Sequence, residues 1–454
     1  PIYLYCATRQ ACDFWESKNE GGIFADVKAV DILYRTSAEP VADPEAVMAR
    51  AASLEERLGT TINTFAVSDR HLGRGYALGG FRHPRSRRSE NTSYVQMVAG
   101  FTAVTDFWLR EFEEKKPTLV INCGKVAAVV ARTLGVPYRT LAGSRFKNFH
   151  QWAHNEFFEN YLVEDAFGRA SSEADQTIEV PYYAHMTLRD KYMKNMSLPR
   201  LCLNSGKIGL RHAYWRLRGY EKAKGYYPME EVRYVWRRRS DLSLLDRLCK
   251  PLSALSGKRF VYYPLHTEPE TALQTLSPEY FYQLSCIAAL SRDLPVGVTL
   301  AVKETFEATG RRPADFYRQI AELKNVVLLD MMELGLEVAR QADAVATITG
   351  TGGFEAAVMG KPVISFGRHN QYNFLPHVSV IEDEADLRPA LRTALSPEFD
   401  SAVAEEAGRK FLSAVLSVSF DLRDYDYVDL RKFQPETVAD AVEALRASLA
   451  QMAQ

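Results

Sequence analysis

What this chain of 454 residues lacks narrows its class before any motif is read. Its six cysteines (Cys6, Cys12, Cys123, Cys202, Cys249, Cys286) are scattered without a CxxC pair. That spacing argues against a zinc site or a disulfide framework and favours a reducing compartment. There is no secretory signal pattern and no apolar run of the about 18 residues that a spanning helix needs. A cytoplasmic chain is expected, at most peripheral at the inner face of the cytoplasmic membrane. The net charge of −1 leaves no basic excess to neutralise a phosphate backbone, so nucleic acid is not an expected partner. Internal repeats and low-complexity tracts are absent. The composition, 46% hydrophobic and 25% charged, is globular, and the length exceeds one ordinary core, so two domains are expected.

The most informative stretch runs from Thr347 to Gly367, TITGTGGFEAAVMGKPVISFG. An apolar strand enters the turn Thr349-Gly350-Thr351-Gly352-Gly353, a short helix follows from Phe354, and Lys361-Pro362 opens a second strand. Such a turn presents unpaired N–H groups and a helix N-terminus, and its glycines admit an anion close to the backbone. It reads as a phosphate cradle, although it matches neither G-x-G-x-x-G nor G-x-x-x-x-G-K-[ST].

From Arg259 onward, strands and helices alternate: RFVYYPL, a helix from Ser277 to Leu290, VTLAVK, a helix from Pro313 to Leu323, NVVLLD, a helix ending near Ala339, AVATI, the cradle helix, PVISF and VSVI. Short apolar runs between amphipathic helices specify an α/β domain, its parallel sheet covered on both faces. Ligands of such sheets bind beyond the carboxyl ends of the strands. His266, Glu268, Glu270 and Thr271 follow the first strand, Lys303 and Glu304 the second, Asp330 the third, and the glycine turn the fourth.

The first half alternates as well: IYLYC, VDILY, a helix from Pro44 to Leu58, NTFAV, a helical region from Ser93 to Glu114, TLVIN, a helix after Gly124-Lys125, and a strand from Tyr138 to Leu141. The expected division is an α/β domain over 1–195 and a basic helical insert over 196–256. A second α/β domain follows over 257–415, and a helical tail over 416–454. In the insert, Arg237, Arg238 and Arg239 adjoin Trp236 and Tyr234, a composition suited to an anionic surface or to plain solvation.

The strings YYPLHTEPETALQTLSPEYFYQL, LPVGVTLAVKE, GRRPADFYRQIAELKNVVLLD and ATITGTGGFEAAVMGKPVISFG resemble the capsular-polysaccharide synthesis family. In the first half the resemblance thins to AGSRFKNFHQWAHNEFFENY. That resemblance implies the glycosyltransferase-B architecture, two doubly wound α/β domains facing across a cleft, and includes transferases of Kdo, an eight-carbon acidic sugar, from CMP-Kdo. One departure stands out: the family commonly has Lys-Glu-His-Pro after the second strand, where this chain reads Lys303-Glu304-Thr305-Phe306.

A transferase needs a cradle for the departing phosphate, a group that steers the acceptor hydroxyl, and exclusion of water. Thr349, Gly350, Thr351, Gly352 and Gly353 are the expected cradle, with Lys303 and Arg311 as cationic partners. The resemblance suggests Glu355 for the donor ribose, Glu268 and Glu270 beside the donor, and His266 in the family's Pro-Leu-His run as a catalytic candidate. Glu20, in Asn19-Glu20-Gly21-Gly22, resembles the acidic turn from which sialic acid and Kdo transferases draw a base. Arg145, Asn148, His150, His154 and Asn155 are acceptor-side or donor-side candidates. His150 and His154 have a helical metal-ligand spacing, but no HExxH accompanies them, and neither metal nor cofactor is expected. Asp424-Tyr425-Asp426 is read as a structural turn. The expected co-substrate is a nucleotide sugar, a CMP-sugar before a UDP-sugar, with a polysaccharide or lipid-linked saccharide as acceptor. A sugar-nucleotide epimerase of the UDP-GlcNAc 2-epimerase kind and a non-catalytic polysaccharide-assembly subunit remain alternatives.

Overall fold

A computed structural model describes residues 1–69, 72, 91–171, 178, 190–191, 193–220, 227–267, 271–274, 276–280, 282–306, 308–313, 315–422 and 435–450. Glu268, Glu270 and Asp424-Tyr425-Asp426 lie outside the described residues. The chain divides into two compact units, Pro1–Tyr138 with Cys202–Val235, and Arg139–Leu201 with Trp236–Gln454. The division differs from the expected one, because the segment carrying Arg145 through Asn155 falls within the unit of the C-terminal half.

In the first unit, β1 (Ile2–Cys6), α1 (Arg9–Lys18) and β2 (Phe24–Ala29) form a parallel β-α-β arrangement. Two expected strands are helices. In VDILY, the Val30 N–H still donates to Cys6 O (2.8 Å), and the chain then turns into α2 (Ile32–Thr36). NTFAV lies in α4 (Ile62–Val67), where the Thr61 hydroxyl accepts from Thr64 N–H and Ile62, Phe65 and Ala66 are buried at helical rather than alternating spacing. Together with α3 (Pro44–Leu58), α5 (Tyr94–Lys115) and α6 (Gly124–Thr133) they build a largely helical core; β3 (Val120–Ile121) is short. The doubly wound sheet expected for this half is not seen among its described residues. The long helix α5 starts where the sequence says it should, at a Ser93/Gln96 capping box. Gly100 on α5 lets α2 approach closely, since a Cβ there would lie 2.7 Å from Leu33 O.

In the second unit, β6 (Arg259–Pro264), β7 (Val298–Lys303), β8 (Val326–Leu329), β9 (Ala344–Thr347), β10 (Val363–Ser365) and β11 (Val378–Val380) form one parallel sheet in the order β11-β10-β9-β6-β7-β8. The chain winds from β6 outward to β8 and then returns to the other side of β6 with β9. The β6/β9 boundary is therefore the topological switch point, where loops leave towards opposite faces and open a crevice. An antiparallel arrangement joins β4 (Tyr138–Gly143) and β5 (Phe149–Ala153), and β12 (Phe420–Asp421) pairs with β5. The helix α7 (Leu162–Arg169) follows.

The expected insert is helical, as α8 (Leu198–Leu217) and α9 (Pro228–Leu248). Its arginine run is not wholly turned outward: Arg238 donates to Phe306 O (3.2 Å) and Arg239 to Met196 O (2.7 Å). In the sheet domain, α10 (Gln283–Asp293) starts later than the expected Ser277, because Ser277 is buried and Gln283 is committed to the backbone of His266. The remaining helices there are α11 (Phe316–Glu322), α12 (Gly335–Gln341), α13 (Thr351–Val358), α14 (Leu387–Ala394) and α15 (Ser401–Ser417). The last helix, α16 (Ala439–Ala450), is docked rather than a loose tail. Trp152 Nε1 donates to Ala441 O (2.7 Å), and the buried Arg139 donates to Ser448 Oγ (2.9 Å).

Candidate functional site at the switch point

The turn after β9 enters α13 through Gly350, whose φ of +107° is tolerable only without a Cβ. No side chain caps this helix, and the N–H groups of Thr351, Gly352 and Gly353, which precede its first intrahelical acceptor, are those a helix N-terminus leaves open. Gly352 and Gly353 have another purpose. A Cβ on Gly352 would lie 2.9 Å from Pro264 Cγ, and one on Gly353 would lie 2.3 Å from the Tyr372 hydroxyl and 2.5 Å from Thr347 Cγ2. These two glycines let the helix press onto the strands, so they shape the cradle from below rather than leave space above it. Farther along, Gly360 and Gly408 bring α13 and α15 into close backbone approach.

His266, at the end of β6, bridges the switch point. Its Nδ1 faces Gln283 Oε1 (3.1 Å), and its Nε2 contacts Thr349 N (3.1 Å), Thr349 O and Thr347 Oγ1 (3.2 Å). The Gln283 amide also binds both backbone groups of His266, which fixes its oxygen towards the ring. Nδ1 thus meets an acceptor, and Nε2 meets both a donor, Thr349 N–H, and an acceptor, Thr349 O, so the ring is held at both nitrogens. Desolvation pushes the ring's pKa down to about 4. The structure thus places His266 as a latch on the cradle, with both nitrogens engaged.

Beneath the latch lies a buried ion pair that the sequence did not signal, built on Arg312, the neighbour of the expected donor-side Arg311. Arg312 donates to both oxygens of Glu304 (2.7 and 2.8 Å) and to His266 O (2.7 Å), and its guanidinium lies over the Phe316 ring. Glu304 further accepts from Tyr317 OH (2.8 Å) and Thr305 N–H (2.7 Å), and both charged side chains are 1% exposed. Glu304, the first residue after β7, therefore anchors the loop.

Charges flank the cradle on two sides. At the β7 side, burial lowers the pKa of part-buried Lys303, opposed by Glu304, Asp330, Glu333 and Glu355. Glu355, in the second turn of α13, is pushed up to about 7 by burial against the opposing Arg340 and Lys303. Arg145 sits in a left-handed turn (φ +69°) between β4 and β5; burial lowers the pKa of His266 and raises that of Tyr372, and the Arg145 charge adds to the first shift and opposes the second.

The loop after β10 is fastened to the cradle strand: Asn370 donates to Ile348 O (2.8 Å). The preceding residue, His369, sets Nδ1 2.9 Å from Glu159 Oε1, and its ring stacks on Phe157 at 3.8 Å. Burial raises the Glu159 pKa, but hydrogen bonds from His369 and Asn155 outweigh it and hold the carboxyl below its ordinary range. Asn155 thus acts by orienting Glu159. An imidazole backed by a carboxylate at Nδ1 is the arrangement used to move protons at Nε2. Residues 159 and 369 carry no local signal that joins them.

Other expected residues fall elsewhere. His150 is on β5 and not on a helix, so its spacing to His154 is that of a strand; it pairs across the sheet with Gly143 and Phe420. His154 has a buried Nδ1 without a hydrogen-bond partner and a pKa pushed down to about 4 by burial and by Arg139. Asn148 is exposed, its carbonyl accepting from Leu422 N–H (3.3 Å). Glu20 is exposed in the turn between α1 and β2. That turn lies at the amino edge of a parallel pair, the edge opposite to the one where such sheets bind ligands. Its neighbour Asn19 clamps Phe24 through two backbone hydrogen bonds. Among the described residues, no group of three or more His, Cys, Asp or Glu side chains is arranged to hold a metal.

No protein-family model matches the chain, and no curated protein matches it. Solved structures that match include KpsC of Thermosulfurimonas dismutans, a beta Kdo 2,7 transferase, at 14% identity over 66% of this chain and 79% of that one, with a TM-score of 0.32. A beta Kdo 2,4 transferase of the same KpsC matches at 14% identity over 60% and 78%, TM-score 0.28. An S. aureus MnaA-UDP co-structure matches at 13% identity over 69% and 76%, TM-score 0.28. At these values none of them bears on the assignments that follow.

Proposed function

We propose that the chain is a metal-independent glycosyltransferase that takes a sugar from a nucleotide-sugar donor. Kdo or a related acidic sugar carried by CMP is the favoured donor, and a surface or capsular saccharide or glycolipid is the acceptor. The observation that supports it most is the uncapped N-terminus of α13 at the switch point, with Arg145 close by and His266 holding the turn in place. In this reading the N–H groups of Thr351, Gly352 and Gly353 and the Arg145 guanidinium receive the donor phosphate. As the bond from the anomeric carbon to the phosphate oxygen breaks, the departing electron pair gathers where these donors point. Glu355 accepts or donates a hydrogen bond at the ribose. His369, held by Glu159, takes the proton of the acceptor hydroxyl in this reading.

Thermal unfolding with CMP, UDP and GDP tests the cradle, since a ligand specific to the folded chain raises its melting temperature. One nucleotide should stabilise the protein, and Arg145→Ala should remove that shift while unfolding normally without ligand. Absence of any shift in the unmodified chain would refute the reading. The same cradle and imidazole–carboxylate pair suit an epimerase, and incubation with the nucleotide sugar alone separates the two. An epimer without acceptor supports the epimerase, whereas transfer only with acceptor supports the transferase.

A further inference from the structure

The helix α8 is apolar on two opposite faces, and among the described residues one is buried and the other exposed. Leu201, Ile208 and His212 are buried on its inner face. On the outer face, Leu203, Leu210 and Leu217 recur every seven residues, with Tyr214 four after Leu210. Seven residues advance a helix by almost two full turns, so these side chains form one stripe about 21 Å long at about 1.5 Å per residue. The stripe is exposed: Leu210 by 75% and Leu217 by 86%. An amphipathic surface helix of a globular protein normally turns such a stripe inward.

The charge around it indicates the occupant. Between Leu198 and Tyr220 the sequence carries Arg200, Lys207, Arg211, Arg216 and Arg218 and no Asp or Glu. By helical angle, Lys207, Arg200, Arg218 and Arg211 follow one flank of the stripe, and all four are exposed. The Arg218 guanidinium lies 5.9 Å over the Tyr214 ring. Glu231 on α9 binds His212 Nε2 (2.8 Å) and Arg211, which fixes the hairpin from behind and leaves the leucine stripe outward. An apolar stripe with aromatic residues and a basic border fits the interface of an anionic lipid bilayer, the leucines entering the acyl boundary and the cations meeting phosphate. No helix among the described residues is long and apolar enough to cross a membrane, so attachment by this face would be peripheral.

We propose that the outer face of α8 docks the protein on an anionic lipid surface, independently of the nucleotide reading above. The test is co-sedimentation of the full chain with phosphatidylcholine vesicles, with and without phosphatidylglycerol, at low and high salt. The unmodified chain should bind only the anionic vesicles, and less at high salt. Leu210→Glu with Leu217→Glu should abolish binding at either salt. Lys207→Gln with Arg218→Gln should weaken it by about fivefold per residue at low salt. All substituted positions are exposed, and unchanged melting temperatures confirm that the variants are folded. The proposal fails if the unmodified chain ignores anionic vesicles at low salt, or if the double Glu variant binds like the parent. It also fails if the parent ignores vesicles but forms a concentration-dependent dimer that the Glu variant abolishes, since the stripe then serves a second copy of the chain.

Discussion

Two glycine turns of this protein look alike on paper and do opposite things. Asn19-Glu20-Gly21-Gly22 leads from a helix into a strand, while Thr349-Gly350-Thr351-Gly352-Gly353 leads from a strand into a helix. The first lies at the amino edge of its parallel pair. A Cβ on Gly21 or Gly22 would meet nothing within 4 Å. The second lies at the carboxyl edge, at the switch point, and is held from beneath by Pro264, Thr347 and Tyr372 and across the crevice by His266. A glycine turn binds an anion only when its N–H groups are turned towards a crevice and kept there, and chain direction through the turn decides which edge it occupies.

The contrast can be broken most forcefully from below. Arg312→Met leaves Glu304 charged and buried, and should cost about 3–5 kcal/mol in urea unfolding. The double variant with Glu304→Leu should recover much of that loss, which separates the stranded charge from lost packing. Next in size, Gly353→Val drives a side chain into Tyr372 and Thr347 and should destabilise by about 3 kcal/mol, whereas Gly21→Ala should leave stability within about 0.5 kcal/mol. Equal effects at the two turns would erase the distinction drawn between them.

Acid sharpens the comparison further. His266 resists protonation down to about 4 in the folded chain and has an ordinary value of 6.5 when unfolded. Between those values the unfolded chain binds more protons. The ring's contribution is therefore whole above about pH 6.5 and is lost as pH falls towards 4, on the order of 3 kcal/mol. Glu355 runs the other way. Its carboxyl keeps a proton up to about 7 when folded, against 4.5 unfolded, so its contribution is whole below about pH 4.5 and is lost as pH rises through 7. His266→Gln should flatten the acid-side loss in a series of pH-dependent melts, with His154 retaining a share of its own. Glu355→Gln should flatten the loss towards neutrality. A slope unchanged in both variants would mean that neither group titrates as its surroundings dictate.

The smallest expected effect is also informative. Glu20→Gln, at an exposed turn, should change stability by less than about 0.5 kcal/mol and leave nucleotide affinity intact. His369→Gln removes the proposed proton acceptor and should lower turnover by about two to four orders of magnitude with donor binding retained. Loss of turnover on Glu20→Gln instead would restore the acidic turn as the source of the base.

Much of the second unit was legible because its signals are local. The strand VTLAVK matches β7 residue for residue, and the strands of the cradle lie where TITGTGG and PVISF place them. Helix starts with strong caps, Ser93 before α5 and Asp43 before Pro44, were equally readable. NTFAV misled because Thr64, Phe65 and Val67 favour strands and five residues carry too little periodicity to tell a strand from a helix. Arg312 escaped notice because nothing local says that this arginine is buried against Glu304.

By itself, then, the chain determined the alternation of strand and helix after Arg259, the cradle turn and the basic, helical character of the insert, since each follows from propensity and spacing within a few residues. Tertiary structure alone decided that Gly352 and Gly353 serve packing, that His266 is a latch, and that His369 finds Glu159 across 210 positions. The physical reason is one of range. Backbone preference acts between neighbours in sequence, whereas burial, hydrogen-bond satisfaction and the pKa of a side chain depend on whatever the folded chain brings against it.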